Sequence, residues 1–195
     1  FEAKGIEVVR NGFCCVKDEF AAAVAKFEEE KVDCIVTWHA AYSPSLESAE
    51  ILAGTSLPII ILDTTVMYDF GPAQSSAEIN TCHGIHGVMD MTSLLKRYGK
   101  PYEIAAGHYP ISDVMDRVIG YIHAAVGANS LAGTKVGSIG GSFDGMGDFL
   151  VSDEEMLERF GVTVVYDNKK LIGIKASITE DEVRAEMAKD LEECD

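Results

Sequence analysis

Short apolar runs alternate with longer amphipathic stretches along this chain, and that alternation constrains its fold more than any other feature. Strand-like runs occur at residues 6–9, 34–38, 58–62, 102–106, 135–139 and 162–166, with a weaker one at 171–175. Between them, apolar residues at helical spacing predict helices over 18–31, 88–98, 111–126 and 153–160, and a last one over 179–193. Strands that are almost continuous in apolar residues need cover on both faces, which a parallel sheet with flanking helices supplies. The predicted class is therefore α/β, with doubly wound, Rossmann-like parallel sheets.

Local signals sharpen the reading. Ser43 and Pro44 predict an N-cap and a first helical position for a helix running to about Ala53, and Gly99 with Pro101 behind it closes the helix that ends near Tyr98. Gly127 is a predicted stop for the next helix, and Ser152 caps the one that follows. The small, polar segment 129–134 marks a boundary between domains at 1–131 and 132–195. The first run lies close to Phe1 and reads as the continuation of an earlier strand and helix. The second domain, at about 64 residues, is short for a doubly wound unit, so it is expected to be incomplete.

Charge narrows the partners. Asp and Glu number 32 against 16 Lys and Arg, a net charge of -16, which repels a phosphate backbone or an anionic membrane surface. A neutral small molecule is the compatible ligand, with neither nucleic acid nor membrane as partner. Much of the acid sits on predicted helices 18–31 and 179–193, where a solvated face explains it. No apolar stretch approaches the roughly 20 residues of a membrane span. Five irregularly spaced cysteines suit reduced thiols in a reducing compartment, and the expected location is the cytoplasm.

In a parallel sheet, chemistry belongs at the carboxyl ends of the strands. Three such ends carry reactive residues: Thr37-Trp38-His39, Asp63-Thr64 and Gly107-His108. A further segment, Asn80-Thr-Cys-His-Gly-Ile-His-Gly87, holds His83 and His86 at helical spacing, where both rings share a face. Two histidines fall short of a zinc site, and no CxxC or HExxH accompanies them. Each residue has a structural alternative. Trp38 is a packing candidate, Asn80 a helix cap, His108 a partner for a strand-end carbonyl, and His123 a surface or packing residue of an amphipathic helix. The glycine-rich segment after residue 135 lacks both GxGxxG and Gly-Lys-Ser/Thr, and its Asp144 and Asp148 read as turn residues that repel phosphate.

Taken together, these segments resemble the L-arabinose and L-fucose isomerase family in its N-terminal and middle domains. Thr37-Trp38-His39-Ala40-Ala41-Tyr42-Ser43-Pro44 is similar to the arabinose isomerase stretch of Thr-Trp, three variable residues, an aromatic and Ser-Pro. Residues 80–87 fall where that family has Asn-Leu-Asn-Gln-Ser-Ala-His-Gly, and matching separations lead on to Gly107-His108 and Lys135-Val136. The loop after residue 139 is closer to fucose isomerase-like members. Departures are also present: Ala40 stands where arabinose isomerases carry histidine, His83 replaces a glutamine, and Leu62-Asp63-Thr64-Thr65 replaces Leu-His-Thr-Gln.

The resemblance implies a divergent branch of an aldose-ketose isomerase acting on an L-sugar such as arabinose or fucose. It implies two fucose isomerase-like α/β domains and a homo-oligomer, a trimer or hexamer. It implies manganese for the complete parent, with carboxylate and histidine ligands beyond Asp195, so no metal ligand is assigned here and this fragment alone is expected to hold no cofactor and to be inactive. By carry-over His86 is the first choice for catalysis, reaching a neighbouring subunit's substrate, with His83, Asn80 and Trp38 as substrate-binding residues. The rival is a non-catalytic sugar-binding or regulatory α/β module. A nucleotide-dependent oxidoreductase ranks third, for want of its fingerprint.

Overall fold

In the computed structural model, which describes residues 1–69, 71–140, 145–147, 151–166 and 168–193, the chain folds as two units, Phe1–Asn129 and Ser130–Asp195. That division falls beside the boundary expected between residues 131 and 132. The first unit holds, in order, α1 (Lys17–Glu29), β1 (Ile35–Trp38), α2 (Ala49–Gly54), β2 (Ile59–Asp63), α3 (Ser76–Thr81), α4 (Gly84–Arg97), β3 (Tyr102–Ala106) and α5 (Val114–Leu131). The second holds β4 (Lys135–Ser138), α6 (Asp153–Phe160), β5 (Thr163–Tyr166), α7 (Asn168–Ser177) and α8 (Glu180–Glu193). The protein is thus mixed α/β, with parallel strands in two small sheets.

In the first unit the strand order is β1-β2-β3, all parallel, with Ile35 opposite Ile59 and Ile59 opposite Tyr102. The central strand explains why the sheet needs cover on both sides. Ile59, Ile60 and Ile61 are all buried, although successive side chains point to opposite faces. Ile59 and Ile61 join Val24 of α1, Leu52 of α2 and Met91 of α4 in one cluster, whereas Ile60 joins Val114, Val118 and Ile122 of α5 in another. Each fully buried isoleucine contributes about 1.5–3 kcal/mol relative to an exposed one.

The second unit is thinly packed. Its two strands pair in parallel, Lys135 opposite Thr163, and α6 packs against β5. Ser152 caps α6 as expected, its Oγ accepting from the Glu155 amide at 3.1 Å. Among the described residues of this unit Val162 is the one buried hydrophobic.

Several sequence expectations are corrected. Residues 6–9 form no strand. Ile6 packs beside Phe1 and Cys34, and the Arg10 carbonyl accepts from Lys26 Nζ at 2.8 Å, so the segment is tied to its neighbours without entering the ladder. Residues 171–175 lie within α7, whose local i to i-4 bonds satisfy the backbone with no neighbouring strand. The expected cap at Ser43 is absent: Pro44 precedes a 3-10 turn at Ser45–Glu47, and α2 begins at Ala49. There the Ser48 hydroxyl returns to the Ser45 carbonyl, competing with a continuous helix.

Gly127 does not stop α5, because the buried face of Val114, Val118, Ile122 and Ala125 outweighs the roughly 1 kcal/mol that a helical glycine costs. The helix α3 was not anticipated, although Ser75 and Glu78 form a capping box at its start. Asp144, Asp148 and Cys194 lie outside the described residues.

Candidate functional site

The carboxyl ends of β1, β2 and β3 converge on a cavity of about 390 Å³ in the first unit. Trp38 ends β1 and His39 and Ala40 follow it, Leu62 lies near the end of β2, and Thr64, Thr65 and Val66 come just after that strand. His108, Tyr109 and Pro110 follow β3, Met115 enters from α5, and Thr81, Cys82 and Gly84 supply the junction of α3 and α4. Its volume lies within the usual range for small-molecule sites. No Asp, Glu, Lys or Arg is among the described residues that line it. The lining is apolar and aromatic, interrupted by imidazole and hydroxyl groups.

Two histidines enter this cavity. His108 Nδ1 lies 3.0 Å from the Thr65 carbonyl oxygen, and because a carbonyl only accepts, Nδ1 carries the proton. In the neutral ring Nε2 is then an acceptor. Tyr68 packs against the same ring with centroids 5.5 Å apart. His39 is held differently. Its ring lies against α4 at Gly87, where a Cβ would come within 2.9 Å of Cδ2, and its carbonyl oxygen would stand 2.2 Å from a Cβ on Gly84. The two glycines, one helical turn apart, therefore admit the end of β1 against the start of α4. Burial pushes the His39 pKa down, which favours the neutral ring, and its buried Nδ1 has no hydrogen-bond partner among the described residues.

One residue beyond the register pair of Trp38 with Leu62 stand His39 and Asp63. Asp63 is 8% exposed, and desolvation pushes its carboxyl pKa up. By strand alternation its side chain lies on the face of Ile59 and Ile61, beneath α4. The end of β3 is braced by Arg117 of α5, which donates to the Ala106 carbonyl and pairs with Asp113 at 3.1 Å.

The four residues named from sequence occupy different places. Trp38 lines the cavity and is 55% exposed at its rim. His83 is half-buried at the N-cap position of α4, and exposed His86 lies in the first turn, with ring centroids 4.3 Å apart in an edge-to-face arrangement. Tyr42 stacks on His83 at 5.5 Å and donates to Asp90 at 2.9 Å, which extends the group along α4. Neither histidine of this pair lines the cavity, and Asn80 is exposed on α3 outside it.

His39, His108 and Asp63 were each visible as strand-end residues, but the sequence offered no reason to prefer them. The one available signal was the pair Gly84 and Gly87, whose spacing marks a helix face closely approached by backbone. Among the described residues no group of three or more His, Cys, Asp or Glu side chains is arranged to hold a metal ion. No helix among them is long and apolar enough to cross a membrane. No protein-family model matches the chain, and no curated protein matches it in sequence.

Proposed function

We propose that the cavity at the ends of β1, β2 and β3 receives a sugar, and that this chain is the substrate-contacting and subunit-interface part of a metal-dependent aldose-ketose isomerase. The observation that carries the reading is the cavity itself. It stands where a parallel sheet presents ligands, has the volume of a small-molecule site, shows no charged side chain among the described lining residues, and has an indole at its rim. Aromatic rims suit the C–H faces of sugar rings, and an uncharged lining suits a neutral ligand. The order of motifs, which resembles that of the L-arabinose and L-fucose isomerases, supports the reaction class, together with a mixed α/β architecture of parallel strands.

Moving a hydrogen between C1 and C2 through an enediol needs a base, an acid and stabilisation of charge on two oxygens. The residues described here do not form a manganese site, so no step is assigned to the metal. What the chain contributes is binding and orientation. In this reading His86, exposed beside His83, reaches the substrate of a neighbouring subunit in a trimer or hexamer, with Asn80 nearby on α3. Ketose formation from a panel of L- and D-aldoses, with and without manganese, tests the proposal in the complete parent polypeptide. His86→Ala is expected to lower turnover at least about tenfold, the lower end for a positioned proton-transfer or substrate contact. Unchanged kinetics would remove His86 from the site.

A second reading, a metal-independent sugar-binding module, fits the same uncharged, aromatic-rimmed lining. Saturable sugar binding by the parent with no turnover under any metal condition would select it.

A further inference from the structure

Resting on the reading of the cavity as a sugar site, we infer that His39 Nδ1 and His108 Nε2 are the two atoms that hold the ligand's hydroxyl groups, and that the ligand is a neutral ring with an apolar face. Neither histidine belongs to the pair on α4, which lies outside the cavity lining.

Two nitrogens of the lining stand out by their hydrogen-bonding state, one on a ring engaged from behind and one without a partner among the described residues. Thr64 Oγ1 already accepts from the Tyr109 amide at 3.0 Å, and Thr65 Oγ1 donates to the Met67 carbonyl at 2.7 Å. His108 Nδ1 is engaged by the Thr65 carbonyl, which leaves Nε2 as a lone-pair acceptor on a ring whose tautomer is fixed from behind. The Cδ2 to Nε2 edge of His39 lies against Gly87, so Nδ1 occupies the other edge of a ring that lines the cavity. That nitrogen is buried without a partner among the described residues. Buried polar atoms are normally hydrogen-bonded, and a ligand hydroxyl meets the need.

The remainder of the lining selects the ligand's other features. Leu62, Val66 and Met115 offer only apolar surface, and Trp38 presents an indole. With no charged side chain among the described lining, a phosphorylated or carboxylated sugar finds no counter-ion. The fitting ligand is an uncharged aldose or deoxyaldose. One edge carries hydroxyl groups to the two imidazoles, and its C–H face meets Trp38.

The test is nitrogen-detected NMR of the imidazole rings in the full 195-residue chain, titrated with L-fucose and separately with L-arabinose up to about 100 mM, a range that covers millimolar affinity. Occupancy of the cavity is read independently from the Met115 methyl and the Trp38 indole, and His123 serves as an internal reference. The expected result is saturable movement of the His39 and His108 ring nitrogens in step with Met115 and Trp38. His39→Gln and His108→Gln should each weaken affinity at least about tenfold, as loss of 1.4 kcal/mol requires. Because the wild-type nitrogen shifts need no variant, a misfolded substitution does not remove the test. Movement of Met115 and Trp38 with silent His39 and His108 would overturn the inference and leave the sugar reading standing. If no group in the cavity responds to either sugar, both fall.

Discussion

Gly84→Ala turns the contact between β1 and α4 into a measurement of sign. The added methyl would sit 2.2 Å from the His39 carbonyl oxygen and 3.1 Å from its carbon, where ordinary contact begins at 3.4 Å. Relief requires opening the contact by about 1.2 Å against backbone, which cannot rotate away as a side chain would. Overpacking of this kind costs about 1–3 kcal/mol, and the helix propensity gained by alanine returns at most about 1 kcal/mol at so early a position. Net destabilisation is expected, and each kcal/mol lowers Tm by about 2–4 °C in a chain of this size.

The control is Gly120→Ala, in the exposed face of α5, where nothing lies within 4 Å of an added Cβ. The same change should there stabilise by about 0.4–1 kcal/mol. Urea unfolding followed by far-UV circular dichroism reads both. The single tryptophan, Trp38, stands next to His39 and reports by fluorescence whether the end of β1 has moved. A Gly84→Ala protein as stable as wild type, with unchanged Trp38 emission, would refute the claim that these glycines exist to admit His39.

The buried titratable groups predict opposite pH dependences. His39 has its pKa held below the ordinary 6.5 by burial, so the unfolded chain binds that proton more readily; its contribution is present above 6.5 and lost as pH falls through the folded value. Replacing His39 by Gln should flatten the acid side of the stability profile. Asp63 is pushed above the ordinary 3.8, so its contribution is present below 3.8 and lost as pH rises through the folded value. Asp63→Asn should therefore raise the urea midpoint at pH 7, and a lower midpoint would show that the carboxylate has an unrecognised partner. In the second unit, Ser152→Ala should cost α6 about 1 kcal/mol and speed hydrogen exchange at the Glu155 amide several-fold, whereas unaltered exchange would mean that the cap does not hold that turn.

What the sequence revealed divides along a physical line. Periodicity and local caps are properties of neighbouring residues, so the apolar runs of β1, β2 and β3, the Ser152 cap and the stop at Gly99 before Pro101 were all readable. Strand formation also depends on a partner. Residues 6–9 and 171–175 carry strand-like patterns, yet neither pairs, and the second becomes helix. The same limit applies to the site. Strand-end positions made Trp38, His39, Asp63 and His108 visible, but only the fold brings His39 onto Gly84 and Gly87, more than forty residues later in the chain. The conspicuous pair His83 and His86 stands out in sequence because its members are close together, and closeness in sequence does not bring a residue into the cavity.

The parallel register of the first unit also sets an order of assembly. No hairpin can start this sheet, since each strand contact closes a long loop. Pairing Ile35 with Ile59 joins residues about 24 apart, and pairing Ile59 with Tyr102 joins residues about 43 apart, a difference worth about 0.5 kcal/mol in closure entropy. The β1-β2 contact therefore forms first, with α2 between them, and β3 arrives with α4 already bridging the gap. The cavity depends on all three strand ends, so it is among the last features of the first unit to form and among the first to be lost when β3 lets go.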